Sequence, residues 1–220
     1  MIKSIFISRD NFNCQKMYEL KHTKVHLYAF SLIEFLPVDF SLGDEAFDVV
    51  FFNSPRCIEF FLSKTSIANI QVACMGQGTL NHLRKYNLSA DYVGTESSNP
   101  EKIFSEFSQW LGNRKVMVPH GDKSRLSIKK HVPSHQIQTK LIYKTVYREN
   151  FVPSCDIYIF SSSSNVEAFF SAKNSIKNYS KIVSWGKSTT HALKQRGIQP
   201  TQELNLGRED EIYDIVSNLL

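Results

Sequence analysis

The chain has 220 residues, 42% of them apolar and 21% charged. That length holds one large domain or two small ones, and that balance excludes a disordered chain. The net charge of +5 is spread along the sequence. The nearest approach to a basic cluster, Lys123, Arg125, Lys129, Lys130 and Lys140, is diluted by apolar and neutral residues. Nucleic-acid binders concentrate such charge on one face, so no nucleic-acid partner is expected. A small polycarboxylate or phosphate ligand suits the mild excess better.

The opening MIKSIFISRDNF is interrupted by Arg9 and Asp10 after a short apolar run. It lacks the longer apolar stretch of a signal peptide, and no stretch approaches the ~20 apolar residues of a membrane span. The cytosol is the expected compartment, with no membrane partner. Cys14, Cys57, Cys74 and Cys155 form no CxxC and are expected to be small buried hydrophobes.

In chain order, apolar runs suggest strands at 3–7, 24–30, 32–36 (ended by Pro37), 48–52, 70–75, 115–118, 140–146, 156–160 and 181–185. The run at 48–52 is continuously apolar, as in a strand buried on both faces of a parallel sheet. Helical patterns lie between these runs. Asn99-Pro100 opens one, with Ile103, Phe104, Phe107, Trp110 and Leu111 on one face and Gly112 at its end. The last begins near Arg208, with Glu209, Asp210 and Glu211 in its first turn and a stripe of Ile212, Ile215, Val216 and Leu219. Alternating strands and helices imply α/β units around parallel sheets.

The chain also repeats itself. FFNSPRCIEFF (51–61) matches IFSSSSNVEAFF (159–170), with Ser54 against Ser162 and Glu59 against Glu167. GQGTLNHL (76–83) matches GKSTTHAL (186–193), placing Gly76, Thr79 and Leu83 against Gly186, Thr189 and Leu193. Asn87 and Gly197 then stand at matching left-handed helix ends. From Ser to Thr the spacing is 25 residues (54 to 79) in one copy and 27 (162 to 189) in the other. Each motif is an apolar strand, a small or hydroxyl residue and an immediate helix. Such turns cap helices and also collect anions. In open parallel sheets, ligands gather at the carboxyl ends of strands. Ser8-Arg9-Asp10 and Pro119-His120-Gly121-Asp122 are expected to be further turns of this kind.

The first strand is separated from the second copy by the first copy. One half is therefore expected to use both chain ends, residues 1–34 and 148–220, with the other inserted as 38–139. Residues 35–37 and 140–147 form the two crossings, expected to pair as a two-stranded linker. The fold class expected is α/β, with two similar parallel-sheet domains facing each other across a cleft.

These motifs resemble the uroporphyrinogen-III synthase family. Its pattern is strand-F-T-S-P-x-x-V and strand-G-x-x-T-x-x-x-L in both halves, with a V-Y-x-T crossing strand. Here these read FFNSPRCI, CMGQGTLNHL, LIYKT, IFSSSSNV and SWGKSTTHAL. VMVPHGDKSR resembles the family's L-x-P-R-G-D-x-x-R, and IFISRD its V-T-R. The resemblance spans the whole chain in the family's order. It implies two α/β domains on a two-stranded linker and a lyase reaction on hydroxymethylbilane, a linear tetrapyrrole with eight carboxylates. Hydroxide leaves ring A, the azafulvene attacks ring D, and ring D is inverted through a spiro intermediate before closure. No metal or cofactor is implied, and a monomer is expected. His131 and His135 have helical metal spacing, but Pro133 lies between them and too few further ligands accompany them.

By motif position, Tyr143 matches the tyrosine proposed as general acid for the departing hydroxyl. Ser54 and Thr79 match ligand-facing positions of the inserted domain, and Ser162, Ser188 and Thr189 those of the other. Ser8 and His120 stand in further matching turns, and Lys181 matches a family lysine. Arg9, Arg56 and Arg125 are candidate bidentate partners for carboxylates. Ser163 and Lys187 replace common prolines, and His120 stands where Arg is common. The same features fit two other readings: a non-catalytic two-domain binder of small ligands, and a paralogue that keeps the fold without the activity.

Overall fold

A computed structural model of the chain describes residues 3–10, 12, 25–43, 46–96, 99–205 and 210–219. The strands are β1 (Lys3–Ile7), β2 (Val25–Ala29), β3 (Ile33–Pro37), β4 (Val49–Phe52), β5 (Gln71–Cys74), β6 (Tyr92–Val93), β7 (Val116–Gly121), β8 (Ile137–Tyr147), β9 (Ile157–Phe160), β10 (Lys181–Ser184) and β11 (Gln202–Glu203). The helices are α1 (Pro55–Leu62), α2 (Gln77–Arg84), α3 (Pro100–Leu111), α4 (Ser163–Ser171), α5 (Lys187–Gln195) and α6 (Asp210–Leu219), with a 3-10 turn at Ser127–Lys130. The chain divides into two compact units, Met1–Glu34 with Val146–Leu220, and Phe35–Thr145.

The first unit carries a five-stranded sheet in the order β11-β10-β9-β1-β2. Its pairings are parallel. Alternation along β1 and β9 divides its core. Ile5, Ile7, Ile157 and Ile159 pack with Ile212, Ile215 and Val216 of α6. Phe6, Tyr158 and Phe160 turn the other way and meet the Phe169 ring of α4. The expected stripe of the last helix is thus buried, with Leu219 at its margin. Its proposed start at Arg208 and the acid Glu209 lie outside the described residues, as does Cys14.

The second unit carries the order β3-β8-β7-β4-β5-β6, with β4, β5, β6, β7 and β8 parallel. All four residues of β4 are fully buried. Val49 and Phe51 face the core beneath α3, and Val50 and Phe52 face the core beneath α1 and α2. That two-sided burial explains the unbroken apolar run. The α3 helix follows its sequence signals. Asn99 caps it by accepting from the Lys102 N–H, Pro100 occupies its first turn, and Gly112 ends it at φ 59°. Asn87 and Gly197 also adopt positive φ, at 57° and 74°.

The α/β class with parallel sheets is as expected, but three local features differ. The turn expected at Pro119–Asp122 is largely strand, because β7 runs on to Gly121. β8 begins at Ile137 rather than Lys140, since Ile137, Gln138 and Thr139 pair with Val116, Met117 and Val118. The two-residue strands β6 and β11 are too short to leave a periodic pattern.

Asn165 is the main polar tie of the first unit. Its Oδ1 accepts from the Leu32 N–H at 2.8 Å, and its Nδ2 donates to Ser162 at 3.0 Å. The side chain is buried. Replacing it by alanine strands the Leu32 N–H, so Asn165→Ala is expected to cost about 2 kcal/mol. A lowered thermal midpoint measures this loss, and an unchanged midpoint contradicts it.

Candidate functional site

Parallel pairing delivers the carboxyl ends of the strands to one edge of each sheet. In the second unit, β4 ends at Asn53-Ser54 and α1 begins at once. β5 ends before Met75-Gly76 and α2 follows. In the first unit, β9 leads through Ser161-Ser162 into α4, and β10 through Trp185-Gly186 into α5. Each helix start leaves first-turn N–H groups without an intrahelical partner, and the helix dipole favours anions there. Ser54 and Ser162 are the N-caps of α1 and α4, accepting from Cys57 N at 3.4 Å and Asn165 N at 3.2 Å. Gly76 and Gly186 cap α2 and α5 without a side-chain bond. Ser188 and its neighbour Lys187 are exposed in the first turn of α5.

Three of the expected ligand contacts have buried side chains at these edges, and a fourth residue lies at the opposite end of its strand. Ser8 is fully buried. Its hydroxyl accepts from the Ser161 N–H at 2.8 Å, while its carbonyl accepts from the Ser161 hydroxyl at 2.5 Å. These bonds brace the end of β1 against the end of β9. Thr79 and Thr189 are also buried. Each stands four residues before a buried leucine, Leu83 or Leu193, and so shares the inward face of its helix. Their main-chain turns remain at the edge while their side chains belong to the interior. Lys181 opens β10 and pairs with Ile157, the first residue of β9. It lies at the amino end of the sheet, a strand's length from Gly186.

The charged candidates are exposed. Arg9 lies over the Trp185 ring at 5.2 Å, joining the turns after β1 and β10. Its neighbour Asp10 is anchored, accepting from the Ser31 N–H at 2.9 Å and facing Arg148 at 3.3 Å. Arg125 is exposed in the segment after β7. His120 is half-buried, with Nδ1 at 3.0 Å from the Gly121 carbonyl. A carbonyl only accepts, so Nδ1 carries the hydrogen. Neutral His120 therefore presents a lone pair at Nε2, unlike the Arg common at this position. His131 faces Glu101 at 2.7 Å. Among the described residues no three His, Cys, Asp or Glu side chains gather as a metal site.

Tyr143, half-buried on β8, is the best-defined part of the site. A register shift between His120 and Gly121 makes Gly121 its neighbour across the parallel β7–β8 pair. Phe60 of α1 stacks on the Tyr143 ring at 5.1 Å and 29°, and Phe35 of β3 meets it edge-on at 5.5 Å and 84°. The Arg56 guanidinium lies over Phe35 at 3.8 Å. Arg56 also stands 3.8 Å from Glu59, which lies 3.0 Å from His82. Burial is the main cause that raises the Tyr143 phenol above its ordinary value. Cys57 adds to the rise, and Arg56 and the Ser54 hydroxyl act against it. Burial likewise pushes the Cys57 thiol up, and Ser54 donates to its sulfur at 3.4 Å. The sequence marks Cys57 only as a buried hydrophobe, which it is, and does not mark Phe35 or Phe60. The alignment of Ser54 with Cys57 inside one helix cap was the available signal for Cys57.

The model of a protein family described as uroporphyrinogen-III synthase HemD matches residues 20–203. The chain belongs to the uroporphyrinogen-III synthase family. No curated protein matches it by sequence. A uroporphyrinogen-III synthetase from Helicobacter pylori is similar in fold, with a TM-score of 0.75 and 16% identity. That match covers 99% of this chain and all of the other. A mutant uroporphyrinogen III synthase from Thermus thermophilus gives a TM-score of 0.62 at 11% identity, covering 99% and 98%. The uroporphyrinogen-III synthase family is one of lyases in haem biosynthesis, and hydroxymethylbilane is its substrate.

The raised phenol makes a direct prediction. Below pH ~10, where an ordinary tyrosine is half ionised, Tyr143 should contribute no tyrosinate. The difference between ultraviolet titrations of the native chain and a Tyr143→Phe variant measures it. A tyrosinate signal lost from the variant at pH 9 contradicts the buried phenol.

Proposed function

We infer that the exposed and half-buried groups at the carboxyl edges bind the bilane carboxylates, and that Tyr143 protonates the departing hydroxyl. Arg9, Arg56 and Arg125 supply guanidinium groups. Ser54, Ser162 and Ser188, with the first-turn N–H groups beside them, supply hydrogen bonds to carboxylate oxygens. His120 adds a donor when protonated. The bilane is intrinsically reactive, so the chain's main work is to hold it folded with ring D presented for inversion.

The observation that carries the acid assignment is the setting of Tyr143. A phenol among Phe60, Phe35 and Gly121 keeps its proton at neutral pH. It can give that proton as the C–O bond to ring A breaks, so that water leaves and an azafulvenium cation remains beside the phenolate. Ring D attack through the spiro intermediate then returns a proton to solvent or to the phenolate. Arg56 and Ser54 favour the phenolate while it lasts. Raising the phenol's pKa lengthens the alkaline range over which this donor persists.

The working form is a monomer, and no further cofactor is invoked. Cys57, Cys74 and Cys155 are free and buried, which suits the reducing cytosol. Among the described residues no helix is long and apolar enough to cross a membrane.

The test is to incubate the purified chain with hydroxymethylbilane, oxidise the products and separate the isomers. The type III isomer is expected, and type I alone contradicts the reading. Tyr143→Phe should lower kcat about 100-fold while the thermal midpoint stays within a few degrees. An unchanged kcat removes Tyr143 from the acid role.

A further inference from the structure

We propose that Gly121 is a positioning residue for the reaction: its missing side chain is the space into which the Tyr143 ring is set. A Cβ at Gly121 would stand 2.3 Å from Cε2, 2.4 Å from Cζ and 2.8 Å from the hydroxyl oxygen of Tyr143. Side chains do not approach so closely. Gly121 is absent from the residues with positive φ, so its backbone conformation makes no demand for glycine. The demand comes from the ring.

The β7–β8 ladder produces this contact. Through His120 and Leu141 the pairing advances one residue at a time; it then skips Ile142 and sets Gly121 against Tyr143. A bulge of this kind re-aims a side chain, and an aromatic ring over a cross-strand glycine covers the bare backbone. The residues that follow hold the shifted register. The Asp122 N–H donates to the Tyr143 carbonyl at 3.2 Å, and the Asp122 carboxylate accepts from the Thr145 N–H at 2.8 Å. Phe60 and Phe35 complete the seat. With the ring against Gly121, the phenol oxygen comes under the influence of Ser54, Cys57 and Arg56. Any side chain at 121 pushes the ring off this position.

The proposal rests on Tyr143 as the acid, and the experiment separates the two. In Gly121→Ala, kcat should fall about 100-fold, the effect of a misplacement near 1 Å, while KM for hydroxymethylbilane changes less than about threefold. The 13Cζ resonance of Tyr143, identified by its loss in Tyr143→Phe, should shift. In Gly121→Ala/Tyr143→Phe, kcat should fall no more than about twofold below Tyr143→Phe alone, because coupled groups are not additive. A slow Tyr143→Phe beside a normal Gly121→Ala overturns the proposal and spares the acid assignment. A normal Tyr143→Phe overturns both. An unshifted Tyr143 resonance, or losses that multiply in the double variant, overturns the positioning role alone. Should Gly121→Ala fail to fold, the Tyr143→Ala background decides. Adding Gly121→Ala there should leave the thermal midpoint of Tyr143→Ala unchanged, and a further drop overturns the proposal.

Discussion

Parallel pairing is the constraint from which the rest of the molecule follows. Strands that run the same way finish at the same edge, and each must turn there into its crossover helix. In both units the same chemistry results: an apolar strand, a small or hydroxyl residue, and a helix whose first N–H groups point out at the edge, some of them held by the cap residue. Two-sided burial of β4, and of β1 beside β9, holds these edges rigidly. The interior that fixes the turns is rich in rings, with Phe6, Tyr158, Phe160 and Phe169 in one unit and Phe51, Phe104 and Phe107 in the other. Turns anchored on such a scaffold keep their dipoles oriented before a ligand arrives, which is the condition for electrostatic preorganisation.

In its proposed role as the acid, Tyr143 meets a second requirement. An acid for a leaving hydroxyl must keep its proton until the bond breaks, and burial against aromatic rings does this without a partner charge. The neighbouring Arg56 acts in the opposite sense. The phenol is thus held neutral by its surroundings while the charge it leaves behind still meets a cation. Positioning and local polarity are both visible around this ring.

Much of this was legible in the sequence, and the failures have physical reasons. The internal repeat exposed the strand-turn-helix units because each needs an apolar run and a cap at fixed spacing. The same repeat also carried the burial of the Thr79 and Thr189 side chains. Each precedes a core leucine by four residues, so helical geometry already placed it on the inward face. A serine after a strand looks the same in sequence whether its hydroxyl is free or engaged; only Ser161, just beyond β9, shows that the Ser8 hydroxyl is engaged. Lys181 precedes its apolar run, so its place at the amino end of β10, away from the proposed ligand edge, is legible in the sequence. The Tyr143 seat was not legible. It depends on a register shift and on residues from β3, α1 and β7, and nothing in local periodicity links Gly121, Phe35 and Phe60.

The central claim is that anionic tetrapyrrole is held at the carboxyl edges of the sheets. Amide chemical shifts followed during titration with uroporphyrinogen III address it most directly. The account places the largest shifts on Arg56, Gln77, Gly78, Ser163, Lys187 and Ser188, with little change at Lys115 and Lys181 on the opposite edges. Large shifts at those amino ends, with the helix starts unmoved, contradict it.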